Sequence, residues 1–341
     1  MAHEMVRARL HAAAHFRQVS VTACEENVHG VPGGNAARRP HSAQQTLRSP
    51  SAHYQMLAPP AGRSGTLAPE HRRGVLRVRR SILITTLTGL SAALWAAAAS
   101  PSHADGFFDD FDRLDGKRWF VSNGWTNGDH QNCIWKKAAL HVADGQLTLT
   151  LKREPTTSGD GKAERDYSCA ELQTREVHGY GLYEARIKAA AGSGLNSAFF
   201  TFIDKPAHDE IDVEILGRDM SRFDSNYYTD GKGENQEKIA VPSPADETMT
   251  DYAFEWTEGR IRWYVNGKLM REVVSDDVPD AKQKVFFSLW NGAKGMSGWL
   301  GPRDDTIEER TMTVDHVGFT PIGERCLFPG SLSCSTEWSG W

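Results

Sequence analysis

The chain has 341 residues, room for one or two domains, and a formal net charge of −5. That average conceals a division: residues 1–104 carry 12 Lys+Arg against 4 Asp+Glu, whereas residues 105–341 carry 27 against 40. The split excludes a single uniform domain, and the lack of any internal repeat argues against a repeat-built adhesin or solenoid.

Residues 1–71 mix Ala, Arg, His, Pro and Gly without sustained periodicity and contain no Asp. They are expected to be a disordered leader, or to precede a true translation start near Met56 or Val75. Arg72 to Arg80 is densely basic, Ser81 to Ala99 carries no charge, and Ser102-His103-Ala104 is a small-x-small triplet. Residues 72–104 therefore have the three-part form of a secretory signal peptide. The apolar run is also nearly long enough for a transmembrane anchor, and either reading exports the chain from Asp105 onward. This exported part is expected to be secreted, extracellular or periplasmic. It is expected to be a monomer without nucleic-acid partners or stable membrane association. Four of the five cysteines, Cys133, Cys169, Cys326 and Cys334, fall within it. An even number suits disulfides in an oxidising compartment, and no Cys-x-x-Cys spacing favours a metal. A Cys326–Cys334 loop is one pairing the spacing permits.

From Phe107 onward the patterns are those of strands. Ala139–Val142 and Gln146–Leu151 alternate and are joined by Asp144-Gly145, a hairpin turn signal. Residues 155–166 read as a polar loop. The glycines of Gly179-Tyr180-Gly181-Leu182-Tyr183-Glu184 read as a close-packed strand entry. Residues 199–202 read as a cleft wall. Tyr252–Trp256, Arg260–Val265 and Lys268–Met270 form a meander with turns at Glu258-Gly259 and Asn266-Gly267. Lys284–Trp290 is a further strand, and Thr311–Phe319 closes the set. No helix of normal length is readable, and residues 321–341 carry no motif.

The stretch that points to chemistry is Asp209-Glu210-Ile211-Asp212-Val213-Glu214-Ile215-Leu216-Gly217. Its acids and aliphatics alternate with the strand period, which puts Glu210, Asp212 and Glu214 on one face and Ile211, Val213 and Ile215 on the other. The plain alternative is a half-buried strand with a solvated face. Against it, neighbouring carboxylates raise one another's pKa, a cost that a purely structural strand has no reason to bear. One ionised and one protonated carboxyl are what glycosidic cleavage requires.

This strand resembles the catalytic strand of glycoside hydrolase family 16, the β-glucanase family that includes lichenases, laminarinases, carrageenases and xyloglucan transglycosylases. Further resemblances are Phe107–Asp112, Asn123–Gly128 with Asn132–Trp135, Cys169-Ala170-Glu171, Gly179–Glu184, Asn226–Gly231 and Trp290-Asn291-Gly292. Together they span about residues 106–320. The resemblance implies an all-β fold, a jelly-roll β-sandwich of two antiparallel sheets with a concave substrate cleft. It also implies a catalytic domain over 105–320, followed by the tail. Glu210 would be the nucleophile, Glu214 the general acid/base and Asp212 the partner between them. Polysaccharide would be bound by Trp125, Asn127, Glu171, Phe200, His208, Asn226, Tyr228, Trp290, Asn291 and Trp299. Cys133 would pair with Cys169. The chemistry would need no cofactor, but a structural calcium would sit at Asp110, Gly145 and Asp315.

His208, Phe202 and Gln173 depart from the lichenase pattern, and the whole looks closest to rhizobial endo-1,3-1,4-β-glycanases that shorten the acidic polymer succinoglycan. A lectin-like sugar-binding module and a transglycosylase are the rival functions. One geometric tension accompanies the assignment. Residues four apart on a strand lie roughly 13 Å apart at Cα, whereas retaining chemistry needs carboxyls about 5–5.5 Å apart.

Overall fold

The computed structural model describes residues 106–341. The leader and signal segment expected over 1–104 lie outside the described residues. Among the described residues, no helix is long and apolar enough to cross a membrane.

Two sheets pack face to face. In the first, β5 (Gln146–Thr157), β16 (Glu309–Pro321), β7 (Gly181–Lys188), β12 (Thr250–Thr257), β13 (Arg260–Val265) and β14 (Lys268–Val274) follow one another side by side. In the second the order is β11 (Glu237–Ala240), β10 (Arg222–Tyr228), β9 (Asp209–Leu216), β8 (Leu195–Ile203), β15 (Lys284–Asn291) and β6 (Glu164–Thr174). Short strands β1 (Phe107–Asp109) and β4 (Leu140–Ala143) extend the first sheet, and β2 (Trp119–Val121) extends the second. All of these pairs are antiparallel. The exception is β3 (Cys133–Trp135), which runs parallel to β6. The only α-helix among the described residues is a single turn, Ser297–Leu300.

Strand β6 belongs to both sheets. Its first part, through Ser168, pairs with β5, and its last part, from Ala170, pairs with β15. Cys169 stands at the changeover and is disulfide-bonded to Cys133, as the family resemblance implied. By loop entropy a bridge closing 36 residues contributes about 3–4 kcal/mol.

The turns obey the residues that make them. Asp144 and Gly145 both take positive φ, 53° and 69°, and so do Asn266 and Gly267, at 47° and 78°. Two successive left-handed residues make the tight turn that matches strand twist. The loop expected over 155–166 is shorter than expected. β5 continues to Thr157 and β6 begins at Glu164. Pro155 cannot donate to a ladder, and the pairing accommodates it with a register shift between Arg153 and Thr156. Gly181 is required by a close approach, since a Cβ there would lie 2.5 Å from the Thr320 carbonyl.

The core fills the space between the sheets. From the second come Ile211, Val213, Ile215, Phe199 and Phe287; from the first, Tyr183, Phe254, Trp256 and Trp263, all 1% exposed or less. Phe199 meets Phe254 across the gap at 5.5 Å between centroids.

The tail packs on the outer side of the first sheet, where Trp338 joins Leu182, Ala253 and Tyr264. A second disulfide, Cys326–Cys334, closes its loop. The Ser331 hydroxyl and the Leu332 amide both donate to the buried Glu184 carboxylate at 2.7 Å. Burial nevertheless dominates and pushes the Glu184 pKa up from 4.5 to about 7. Between these two values the folded chain binds the proton that the unfolded chain releases, so this group's contribution to stability falls as pH rises through that window. The full effect is about 3 kcal/mol. Glu184→Gln should therefore gain about 3 kcal/mol relative to wild type between about pH 4 and about pH 8, read as the difference between urea-denaturation free energies at the two pH values.

Candidate active site

The face of the second sheet turned away from the core carries the site. Antiparallel register sets its rows. Tyr228, Glu210, Phe202 and Lys284 lie side by side across β10, β9, β8 and β15, and the next row is Asn226, Asp212, Phe200 and Phe286. The third row is Asp224, Glu214, Ala198 and Ser288, continuing to Glu171 on β6. The alternation of β9 is thus realised as read, acids outward and aliphatics into the core.

The acids are largely covered. Glu210 is 6% and Asp212 3% exposed, and Glu214 is partly exposed. Glu210 and Glu214 line one small pocket with Asn127, Trp135, Asn196 and Trp290. Both glutamates reach this one pocket from positions four residues apart on β9. Asn196 Nδ2 donates to Glu214 Oε1 at 2.9 Å.

Burial is the first cause of raised pKa in all three. Glu210 is pushed up to about 8, an increase that a hydrogen bond with Asp212 reduces. Asp212 is held well above its usual range by burial and then by the charges of Glu210 and Glu214. Glu214 is held well above by burial, then by Glu210 and Asp224, with partial relief from Asn196. The hydrogen bond between them favours the ionised form of Glu210 and the protonated form of Asp212, which makes Asp212 the donor.

The strand is fixed from behind. Trp263 on the first sheet donates its indole N–H to the Asp212 carbonyl at 3.0 Å. The Asp209 carboxylate accepts from the amides of Asp230, Asp280 and Ala281 at 3.0–3.1 Å, tying the start of β9 to two loops. Gly217 closes the motif because a Cβ there would lie 2.2 Å from the Gly192 carbonyl.

Most of the expected sugar-binding residues lie around this pocket. Asn226 and Tyr228 lie opposite Asp212 and Glu210, and Phe200 lies between Asp212 and Phe286. Asn127 accepts from the Trp135 indole at 3.1 Å. Glu171 accepts from the Ser122 hydroxyl at 2.5 Å, and burial lifts its pKa to about 7. His208 meets Phe202 edge-on at 5.0 Å, and Trp299 lies 6.1 Å from Trp290. Trp125 stacks on Phe120 at 6.0 Å, and its carbonyl accepts from the amide of the pocket residue Trp135 at 2.8 Å.

Asn291 is a correction. It pairs with Leu195, and the pleat turns it away from the face that Trp290 and Ser288 occupy. Ser288 is the polar residue that β15 presents there. Asn196 and Ser288 had no motif to mark them. Counting by twos from Phe200 and Trp290 would have found both.

Two of the three expected calcium residues lie close together, Asp110 and Gly145. A Cβ on Gly145 would lie 3.8 Å from the Asp110 carbonyl. Asp109 pairs with Val317, and β16 is irregular between Val314 and His316, at Asp315. One Asp315 oxygen meets His316 Nδ1 at 2.9 Å. Backbone carbonyls plus one carboxylate form an oxygen donor set that fits Ca²⁺. Among the described residues, no cluster of three or more His, Cys, Asp or Glu side chains could hold a metal.

Residues 127–317 match the model of glycosyl hydrolases family 16. The chain belongs to that family. It is 47% identical over 235 residues to the endo-1,3-1,4-β-glycanase ExoK of Rhizobium meliloti strain 1021, covering 68% of this chain and 84% of that one. To the β-glucanase of Brevibacillus brevis it is 36% identical, covering 63% and 82%. The crystal structure of a prokaryotic β-1,3-1,4-glucanase (lichenase) from a mouse hindgut metagenome superposes with a TM-score of 0.59 at 34% identity, covering 64% of this chain and 99% of that one. The chain is a glycoside hydrolase, and its fold is the jelly-roll sandwich expected of the family.

Proposed function

We propose that this protein is an exported endo-β-glycanase that cleaves internal β-1,3/1,4 linkages of an acidic, succinoglycan-like exopolysaccharide by a retaining double displacement. The observation that carries this reading is the pair Glu210 and Glu214 lining one pocket, with Asp212 between them on the same strand face. Glu210, whose ionised form the Asp212 hydrogen bond favours, attacks the anomeric carbon and forms a covalent glycosyl-enzyme. Glu214 keeps its proton, gives it to the departing oxygen, and then takes a proton from the water that hydrolyses the ester. Asp212 holds the proton that orients Glu210 and limits the charge on the strand. Asn226, Tyr228, Asn127 and Glu171 supply hydroxyl partners, and Trp290 and Trp299 supply ring faces for sugars. The basic and apolar run over 72–99 supports export, and the rhizobial relative's name supports the linkage type.

The deciding experiment incubates the protein with succinoglycan, mixed-linkage β-glucan and laminarin and follows new reducing ends. Fastest cleavage of succinoglycan is expected. Faster cleavage of mixed-linkage glucan would make it a lichenase. Products longer than the substrate would make it a transglycosylase, and binding without cleavage a lectin-like module.

Glu210→Gln and Glu214→Gln should each lower turnover by roughly 1,000-fold or more while leaving the melting temperature close to that of wild type. With an activated aryl glycoside, azide should rescue Glu214→Gln and not Glu210→Gln. An inverted product anomer, seen by NMR, would overturn the assignment.

The second proposal concerns calcium at Asp110, Gly145 and Asp315, away from the acids. Bound there, it would join the first strand to the last and stabilise the fold by linkage. Calcium should raise the melting temperature of wild type over that in chelator, and Asp315→Ala should lose most of that rise. An undiminished rise in the variant would place the ion elsewhere.

A further inference from the structure

One row of the cleft face ends in a cation. Lys284 sits in line with Phe202 and Glu210, on the same face of β15 as Phe286 and Ser288. It is partly buried, and its ammonium donates to Gln173 Oε1 at 3.2 Å. A second cation stands beside it. Arg175, two residues beyond Gln173 on the outward side of the chain, places its guanidinium 5.5 Å from the Phe120 ring centroid. Its Nε is held by the Gly116 carbonyl at 2.9 Å, and Phe120 itself pairs with Gln173.

Neither cation has a carboxylate partner within ion-pair distance among the described residues. Burial lowers the Lys284 pKa, and the neighbouring Arg175 charge lowers it further, with Glu176 opposing more weakly. Two like charges held close together, one of them partly desolvated, cost free energy that an arriving anion would recover.

Resting on the glycanase reading, we infer that Lys284 and Arg175 form a subsite for a carboxylate carried as a substituent on the polysaccharide. A fixed guanidinium and a flexible ammonium together suit a planar carboxylate, the first by its fork and the second as a point charge. Phe120, Phe202 and Phe286 give the sugar that bears it an apolar floor. The subsite is two strand spacings from Glu210, about 10 Å, so the charged substituent belongs to a sugar near the cleaved bond and not on it. Where this chain has Gln173, the amide serves to hold Lys284 in place.

The test compares Lys284→Gln, Arg175→Gln and Lys284→Arg with wild type on two probes, mixed-linkage β-glucan and the same glucan partially carboxymethylated. Loss of a charge-assisted contact should lower kcat/KM on the carboxymethylated polymer roughly 10- to 100-fold in each Gln variant. The neutral polymer should be cleaved at an unchanged rate. Lys284→Arg should restore most of the lost activity, and salt should erase the wild-type preference as screening grows. Equal losses on both polymers would reduce the two residues to structural supports, and no loss on either would remove the subsite. Retardation in native gels containing each polymer reads the same contrast without turnover. A protein that is held by the carboxymethylated gel yet cleaves neither polymer would overturn the glycanase reading and leave the subsite standing.

Discussion

The constraint from which the structure follows is the placing of three carboxylates on alternate positions of one strand, nearly out of water. Each buried acid favours its neutral form, and each neighbour's charge adds to that preference. A strand so loaded is held by the other face, where Ile211, Val213 and Ile215 reach a core of large aromatics. Complete or nearly complete burial of such side chains contributes about 1.5–3 kcal/mol apiece, enough to offset a chain of unfavourable ionisations. The indole N–H of Trp263 on the Asp212 carbonyl adds a directional bond across the core. Trp263 in turn lies 4.7 Å below the Arg271 guanidinium, whose N–H groups donate to Ser225 on the neighbouring β10. The site is thus rigid because both sheets grip the same strand.

The burial of the acids also decides their roles. Three ionised carboxyls in such a place are excluded, so protons stay on the strand at neutral pH. Asp212 donates to Glu210 and Asn196 donates to Glu214. The first bond eases ionisation of Glu210, the proposed nucleophile. The second fixes the side chain of Glu214, the proposed proton donor. Residues of one chemical kind at i, i+2 and i+4 become different through their partners alone.

Much of this was legible because period two is exact. Alternation placed Glu210, Asp212 and Glu214 correctly, and the Asn-Gly and Asp-Gly turns marked their hairpins. What escaped did so for physical reasons. Pro155 reads as a loop, yet a register shift lets the strand run past it. Asn291 stands beside an aromatic that faces the cleft, and adjacency in sequence is the wrong neighbour relation on a pleated strand. Lys284 has no motif and gains meaning only when β15 is laid beside β8 and β6. The tail offers no periodic pattern, because its order comes from two donors to Glu184 and from a Trp seated on a finished sheet.

Strand β16 lies between β5 and β7 in the middle of the first sheet, although it is the last strand of the chain. Until residue 321 is available, β5 and β7 both present open hydrogen-bonding edges, and the opening strand β1 has nothing to pair with. A chain threaded from its amino terminus through a translocation channel would therefore emerge with its central seam missing. Exposed edges of this kind invite pairing with other chains. Completion of the sheet must wait for the whole polypeptide, which, for a chain exported as proposed, keeps it loose for as long as passage lasts and makes the final segment the one that locks it.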